Sequence, residues 1–467
     1  MIKKLLLSLV LLISISAFAA DEFKYSLKEH QKFNRTMSID INKSASVHML
    51  FVKNKNTKKQ DVIPFYIDEQ KNITELSTLS FEEEPELISF HTNGTTLTLI
   101  NFQDGSLSID DIDLSTGKHL NRKQTKGVEK PTYVFKQKHR SIFMEADRRG
   151  KNLTFTHIEN STSSSTKKLE TPEYLQDKVK RIFRKDVDVI NTREFLKNGS
   201  ISKTQAYFEE EKLLLVYDRK DDDEIETLQI NPNAKDAFEL KNHKATALEK
   251  LKKSNSYVKD DKLFVINSGK EDVEMNVFDI ESGKKEKHLS LKQEMAFAEN
   301  DLEKREDFIK QSRKFKNKPT LTVNETEEGN LAVRMDYVNI QNYSYNNLWW
   351  FQHHMRMHQL HMQQQQQLRT MMGPNISHLE IDALYTKKKE STSISFVISK
   401  DLEVLEGASL ETKYREVDAE KYIEALSDNK EVRNESLAFL NDEYHYIYTD
   451  RKEHHIYIEI EMLETRY

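Results

Sequence analysis

The residues best suited to chemistry lie in a segment rich in histidine, methionine and glutamine. If this segment is helical, His354, His358 and His361 fall at positions i, i+4 and i+7 and share one face. Three imidazoles in that arrangement can bind copper or zinc, and Met355 and Met362 add thioether sulfur atoms that suit cuprous ion. The spacing therefore predicts a copper or zinc site as one role for this segment, and no other cofactor is expected.

Two other roles compete for the same segment. Residues 363–367 are five consecutive glutamines, and tracts of this composition are typical of surface loops. Arg356 lies among the candidate ligands and would repel a cation. The preceding Trp349, Trp350 and Phe351 favour an interaction surface, because three consecutive aromatic residues cannot all face one core from a single strand or helix. A metal site, an interaction segment and an inert loop all stay open.

Two weaker patterns occur outside this segment. Residues 111–115 carry side-chain oxygens at alternate positions, as a calcium loop does, but the glycine falls at the seventh position, Gly117, instead of the sixth. This spacing predicts a plain turn. His454 and His455 are predicted to face His445 across a hairpin turn, as ordinary residues of an exposed strand.

Motifs of common enzyme families are missing. The chain has no Gly-x-Ser-x-Gly elbow, no phosphate-binding glycine loop, no His-Glu-x-x-His motif and no dinucleotide fingerprint. The sequence therefore favours a non-catalytic protein. One enzymatic alternative stays open, a hydrolase with a carboxylate pair in a central funnel, because such pairs lie far apart in sequence.

The first residues predict export. Lys3 and Lys4 are basic, residues 5–15 form an apolar stretch too short to span a bilayer, and Ala-Phe-Ala at 17–19 is a small-x-small cleavage site. We therefore expect residues 1–19 to be a signal peptide and the protein to be periplasmic, secreted or held at the bacterial cell surface. The chain has no cysteine, which excludes disulfides and thiolate sites. No second long apolar run follows, so no transmembrane segment is expected after cleavage.

Composition limits the choice of partner. Hydrophobic residues make up 37% and charged residues 32%, which allows a core beneath a strongly charged surface. Lys plus Arg number 71 against 77 for Asp plus Glu, a formal net charge of -6 that disfavours nucleic acid as a partner. We expect the partner to be another envelope or extracellular protein, or a glycan.

The body of the chain contains a repeat at an offset of 166 residues. Residues 97–101 match 263–267, and residues 112–118 match 278–284 without a gap. Both copies end in an Asp-x-x-Ser/Thr-Gly-Lys turn, at Asp113 and Asp279. Each copy therefore predicts two strands joined by a turn and followed by a second turn.

Seven similar strand pairs are predicted in all. They begin near Val47, Leu97, Ile142, Leu213, Leu263, Leu331 and Tyr444. The 448 residues after the leader give 64 residues per unit, room for four short strands and their loops. A unit of this kind cannot cover its own apolar face, and a closed ring of such units covers every face.

At fold level the chain resembles β-propeller repeat proteins. The resemblance implies an all-β fold of about seven (six to eight) four-stranded blades, in a single domain over residues 20–467. A β-solenoid or a pair of β-sandwiches is the alternative fold. A helical insertion is expected at about 293–318, with Leu302 and Ile309 packed inward, and a shorter helix after Asp418. The histidine, methionine and glutamine insertion spans about 341–376. Together these features predict a binding or scaffolding module.

Overall fold

In the part of the chain that it describes, a computed structural model shows short strands arranged in seven sheets. It describes residues 23–42, 44–183, 187–190, 202–209, 211–218, 224–244, 253–293, 295, 302–314, 317–339, 393–412, 432–440, 443–450, 452 and 454–462. Within these residues no helix is long and apolar enough to cross a membrane.

The first three sheets, blades 1 to 3, follow one another along the chain. Blade 1 contains β2 (Gln31–Asp40), β3 (Ser46–Asn54), β4 (Gln60–Ile67), β5 (Ile73–Glu75) and β6 (Leu79–Phe81). Blade 2 contains β7 (Glu86–Thr92), β8 (Thr96–Gln103), β9 (Ser106–Asp113) and β10 (His119–Lys126), and blade 3 contains β11 (Tyr133–Lys136), β12 (Ser141–Ala146), β13 (Asn152–Ile158) and β14 (Ser164–Glu170). In blade 1 the outermost strand is split, because both β5 and β6 pair with β4.

Blades 4 to 6 contain the two described helices between them. Blade 4 contains β15 (Val187–Ile190), β16 (Thr204–Glu209), β17 (Lys212–Asp218), β18 (Glu224–Ile230) and β19 (Phe238–Lys244), and blade 5 contains β20 (Lys253–Lys259), β21 (Lys262–Ser268), β22 (Val273–Asp279) and β23 (Lys285–Ser290). Blade 6 contains β24 (Asn317–Glu325), β25 (Leu331–Asn339), β26 (Ile394–Ile398) and β27 (Val404–Leu405). Blade 4 departs from four strands because β15 is added parallel to β16.

Blade 7 combines the two ends of the described chain. It contains β28 (Val432–Phe439), β29 (Glu443–Asp450) and β30 (His455–Met462), and its outermost strand is β1 (Phe23–Ser26), which pairs antiparallel with β30. The first strand of the described chain is therefore held by the last, and blade 7 packs on blade 1. The β-propeller prediction is confirmed, and each of the seven predicted strand pairs lies in a different blade.

The core lies between the blades. Alternating residues of each strand point to opposite faces of its sheet. Apolar clusters of the described residues join each of blades 1 to 5 to the next blade, and a further cluster joins blade 7 to blade 1. Phe155 and Leu215 belong to one cluster between blades 3 and 4, and Phe65 and Ile458 belong to another between blades 1 and 7. All four side chains are fully buried.

The 166-residue repeat extends to individual hydrogen bonds. Leu97 pairs with Ile112 in blade 2, and Leu263 pairs with Phe278 in blade 5. The N–H of Gly117 donates to the Asp113 carbonyl at 2.9 Å, and that of Gly283 donates to the Asp279 carbonyl at 2.9 Å. The two copies therefore have the same strand register and the same turn.

The two turn glycines provide a matched test of backbone strain. Both have positive φ, 69° at Gly117 and 71° at Gly283, where a side chain costs about 1–2 kcal/mol. A Cβ on Gly117 would lie 2.8 Å from the Glu75 carbonyl oxygen, whereas one on Gly283 meets only the Lys241 Cδ at 3.9 Å. We expect Gly117→Ala to destabilise the protein by at least about 1 kcal/mol more than Gly283→Ala in urea unfolding. Equal losses would contradict the close contact.

Of the two described helices, one was predicted from the sequence and the other was not. α2 (Leu302–Ser312) lies within the predicted helical insertion, with Phe308 and Ile309 buried. The helix predicted after Asp418 falls outside the described residues. α1 (Glu173–Phe183) was missed, although its buried residues Leu175, Val179 and Ile182 have helical spacing. It packs into the core between blades 3 and 4.

Candidate functional site

The predicted metal and interaction residues lie outside the described part of the chain. His354, His358, His361, Met355 and Met362, like Trp349, Trp350 and Phe351, belong to residues 340–392, which connect β25 with β26 in blade 6. In the described residues, no group of three or more His, Cys, Asp or Glu side chains is placed to hold a metal ion. A metal site and an interaction segment in the insertion therefore stay predictions.

The calcium-like sequence forms a plain turn, as its glycine spacing predicts. Oδ1 of Asp113 accepts hydrogen bonds from the Ser115 hydroxyl at 2.7 Å and the Thr116 N–H at 2.7 Å. Asp111 is buried, and its carboxylate accepts hydrogen bonds from the Thr98 hydroxyl at 2.9 Å and the Ser161 N–H at 2.9 Å. The two carboxylates are thus used by separate structural contacts.

The most developed polar cluster joins blade 1 to blade 7, and we call this interface the seam. Ser46 and His48 are the first and third residues of β3, and Glu443 and His445 are the first and third residues of β29. Residues two apart on a strand share a face, so each pair points to one side of its sheet. The two imidazole rings lie with their centroids 6.0 Å apart across the seam.

Hydrogen bonds link the cluster into one chain. Nζ of Lys71 lies 2.7 Å from Oε2 of Glu443, and Oε1 of Glu443 lies 3.0 Å from Nε2 of His445. Nδ1 of His445 lies 2.7 Å from the Ser46 hydroxyl, which is 3.0 Å from Nε2 of His48. Beyond the second ring, Nδ1 of His48 lies 2.6 Å from the Ser38 hydroxyl, and that hydroxyl lies 2.7 Å from Ser436 of β28.

With both rings neutral, as their burial favours, the donors and acceptors of this chain have one consistent direction. The Glu443 carboxylate requires Nε2–H of His445 as donor, and Nδ1 of the neutral ring then accepts from the Ser46 hydroxyl. The Ser46 oxygen then accepts from Nε2–H of His48, and Nδ1 of that ring accepts from Ser38. In this arrangement each neutral histidine carries its proton on Nε2.

Burial accounts for the neutral state of both rings. It lowers the pKa of His48 well below the ordinary value of 6.5, and the neighbouring His445 lowers it further. Burial also lowers the pKa of His445, although Glu443 acts in the opposite direction. For Glu443, burial raises the pKa, but hydrogen bonds from Lys71 and His445 outweigh it and the net shift is downward.

The seam should make folding sensitive to acid. Because the folded-state pKa of each histidine is depressed, the unfolded chain binds more protons below about pH 6.5. Above pH 6.5 the two histidines therefore cause no loss of stability. Below pH 6.5 the free energy of unfolding falls as the pH drops. His48→Gln should reduce this slope by up to about 1.4 kcal/mol per pH unit in urea unfolding series. An unchanged slope would contradict a neutral, buried His48.

The order Ser46, His445 and Glu443 is that of a nucleophile, a base and an orienting acid. Relative exposure is 0% for both Ser46 and His445, so a substrate carbonyl has no route to the hydroxyl. With both rings neutral, the Ser46 oxygen also accepts a hydrogen bond from His48. Both of its hydrogen bonds are then made within the seam. The arrangement holds two blades together and offers no support for hydrolysis.

Sequence reasoning missed the seam and placed His445 elsewhere. His445 was expected to face His454 and His455, but the register pairs it with Ile460. His455 instead lies with its Nδ1 3.1 Å from the Ser26 hydroxyl of β1. The available signal was the matching Ser-x-His and Glu-x-His at the start of the second strand in the first and last blades.

A second buried cluster lies between blades 4 and 5. The Ser256 hydroxyl of β20 donates to Oδ1 of Asp218 at 2.9 Å, and Nε2 of Gln205 donates to the Ser256 carbonyl at 2.8 Å. The N–H of Val258 donates to the Tyr207 hydroxyl at 3.1 Å. Burial raises the pKa of Asp218 to about 7, against the hydrogen bond from Ser256.

Asp218 should act on stability in the opposite direction to the seam histidines. Its folded-state pKa is raised. Its contribution to the free energy of unfolding is therefore fully present below about pH 4 and is lost as the pH rises towards 7. Replacing it by asparagine removes this loss. We expect the stability of Asp218→Asn relative to wild type to improve by about 3 kcal/mol between pH 5 and pH 8. A constant difference in urea unfolding would show that Asp218 is ionised at both pH values.

The described inner strands carry mainly neutral polar side chains. Buried polar residues of β2, β7, β16, β20, β24 and β28 include hydroxyl, amide and imidazole side chains and one lysine. Blade 4 adds one buried carboxylate, Asp188 of β15, which accepts a hydrogen bond from the Ser202 N–H at 3.3 Å. Several of the buried polar residues link blades, as Asn255 does when its Oδ1 accepts from the Leu321 N–H at 3.1 Å. Some of the polar groups on the inner strands therefore serve contacts between blades.

Comparison with known proteins gives a fold-level match. No protein-family model and no curated protein matches the chain. Similar solved structures include the β-propeller domain of the Trilobed protease from Pyrococcus furiosus, with 7% identity over 93% of this chain and 97% of that chain and a TM-score of 0.33. They also include a putative dipeptidyl aminopeptidase IV from Bacteroides ovatus, with 8% identity, 67% and 47% coverage and a TM-score of 0.31. An uncharacterized protein from Listeria monocytogenes EGD-e has 8% identity, 68% and 83% coverage and a TM-score of 0.28.

Proposed function

We propose that this protein is an exported, non-catalytic β-propeller that binds a partner through the outer edge of its blades. The supporting observation is β10, the outermost strand of blade 2, whose eight residues are all exposed. Outer edges carry unpaired backbone groups and are natural sites of association. The acid-base cluster with a catalytic order, by contrast, is sealed in the seam.

Charge distinguishes β10 from β14, β19 and β23, the outer strands that carry both lysines and acids. β10 carries Arg122, Lys123 and Lys126 and no acidic residue. On β19 and β23, lysines meet acids: Lys241 lies 2.8 Å from Glu239, and Lys287 lies 2.7 Å from Glu403. Blade 2 therefore presents the basic edge, which favours an acidic partner.

Site-specific photocrosslinking in the producing cell tests this function. Leu120 on β10 and Tyr174 on α1 are both exposed, at 47% and 74%, so each accepts a crosslinking side chain. We expect discrete crosslinked products from position 120 and none from position 174. Products from both positions alike, or from neither, would contradict a partner at the outer edge of blade 2.

The export part of the proposal has a separate test. Cleavage after residue 19 or 20 leaves β1, which begins at Phe23, intact. We expect the protein to be recovered outside the cytoplasm with a mass that lacks the leader. Protein that retains residues 1–19 and stays in the cytoplasm would contradict export.

A further inference from the structure

We propose that β10 binds an extended acidic polypeptide segment as an additional antiparallel strand of blade 2. This inference rests on the proposed function and names its partner chemistry. The sheet order places β10 at the end, with β9 on one side and no strand of the described chain on the other. An exposed edge of this kind can bind a peptide through main-chain hydrogen bonds, and side chains add specificity.

The pairing of β10 with β9 shows where its charges lie. Arg122 pairs with Asp110, so it shares a sheet face with that residue, and Lys126 lies on the same face. Lys123 lies on the opposite face, where its Nζ is 3.0 Å from the Ser164 hydroxyl of blade 3. An added strand would thus meet a lysine on each of its two faces.

Arg122 does not contribute a free charge to this edge. Its Nε donates to Oδ1 of Asp110 at 2.5 Å, and its Nη1 donates to the Ser80 carbonyl at 3.1 Å. Asp110 of β9 is fully buried. Through these two hydrogen bonds Arg122 holds β10 against β9 in its own blade and against β6 of blade 1. Lys123 and Lys126 are the residues expected to select carboxylates.

The neighbouring outer strand reinforces this choice. Lys167 and Lys168 lie on β14, where all residues but Leu169 are exposed. Lysines on an edge strand also oppose pairing with an identical edge, because like charges would face each other. A second copy of β10 is therefore disfavoured as the occupant, and a strand with carboxylates on both faces is favoured.

A strand rather than a general polyanion is favoured by the shape of the edge. Residues 121–126 of β10 follow an uninterrupted register with β9. Their side chains are amide, hydroxyl and basic groups, and β10 has no Phe, Tyr or Trp ring on which a sugar would stack. Regular backbone groups spaced for a strand are the dominant feature of this edge.

Fluorescence anisotropy with a labelled peptide of repeating Glu-Glu-Thr-Thr, which carries carboxylates on both faces when extended, tests the inference. We expect saturable binding by the full mature chain, and binding about tenfold weaker for Lys123→Glu with Lys126→Glu. Lys284→Glu with Lys285→Glu, at the edge of blade 5, is the matched control and should bind as wild type does. The same peptide with Lys in place of Glu should not bind.

A backbone-modified peptide distinguishes strand addition from simple charge attraction. N-methylation of alternate amides keeps the charge and removes main-chain donors, so binding should fall by about tenfold or more. Strand addition would be overturned if the methylated peptide bound as tightly as the unmodified peptide. It would also be overturned if dextran sulfate displaced the labelled peptide as effectively as the unlabelled peptide does. If no acidic peptide binds while crosslinks from position 120 persist, this inference fails and the proposed function stands. If the crosslinks are missing as well, the proposed function fails too.

Discussion

Ser46→Ala is expected to lower the free energy of unfolding by about 2 to 6 kcal/mol. The Ser46 hydroxyl serves both seam histidines, at 2.7 Å from Nδ1 of His445 and 3.0 Å from Nε2 of His48. Its loss leaves one buried donor and one buried acceptor unpaired, and each costs about 1–3 kcal/mol. Urea unfolding above pH 7, where both rings are neutral, measures the loss directly.

A nearby serine provides the control for this substitution. Ser44 is exposed and lies two residues before Ser46, outside the seam. Ser44→Ala should change stability by less than about 0.5 kcal/mol, as surface substitutions usually do. A loss below about 1 kcal/mol for Ser46→Ala would mean that the hydroxyl is not essential to the seam network.

The blades could be predicted from sequence because their signals are local. Alternating apolar residues identify each second strand, and the Asp-x-x-Ser/Thr-Gly-Lys turn fixes the register at Gly117 and again at Gly283. The number of blades follows from counting these pairs. A ring is then the arrangement that covers every apolar face.

The seam could not be predicted because its residues are remote in sequence. Ser46 and His445 are 399 positions apart, and each lies on an ordinary strand. Only ring closure places them together, and the Ser-x-His and Glu-x-His patterns do not by themselves show that their two strands meet. The same reasoning applies to Asp218 and Ser256, whose contact depends on the packing of blade 4 on blade 5.

The basic edge strand β10 could be predicted from the sequence only in part. Sequence shows that residues 119–126 lack acids, but not that they form the last strand of a sheet. The structure adds this position and the side-chain faces. From sequence alone, this basic stretch is typical of a solvated surface. With the edge position and the side-chain faces added, it is an edge strand with a defined direction and register.

Removal of β1 is expected to destabilise the protein by about 3 to 6 kcal/mol. The ring centroids of Phe23 and Tyr25 lie 5.6 Å and 5.2 Å from that of Phe65, which is fully buried in blade 1. A chain starting at Leu27 loses both half-buried rings and exposes the edge of β30.

A chain starting at Phe23 is the matched control for this truncation. It retains the whole of β1 and should have the stability of the longer mature protein in urea unfolding. Comparable stability of the two truncated chains would show that β1 does not contribute to closing the ring. If only the shorter chain is destabilised, the outermost strand of blade 7 anchors blade 7 to blade 1 through the aromatic contacts with Phe65. Phe65 is also the cross-strand partner of His48, which bonds to Ser46 in the seam. The loss in Ser46→Ala and the loss of β1 should therefore be coupled, so that the free energy of unfolding of the double variant departs from the sum of the two losses.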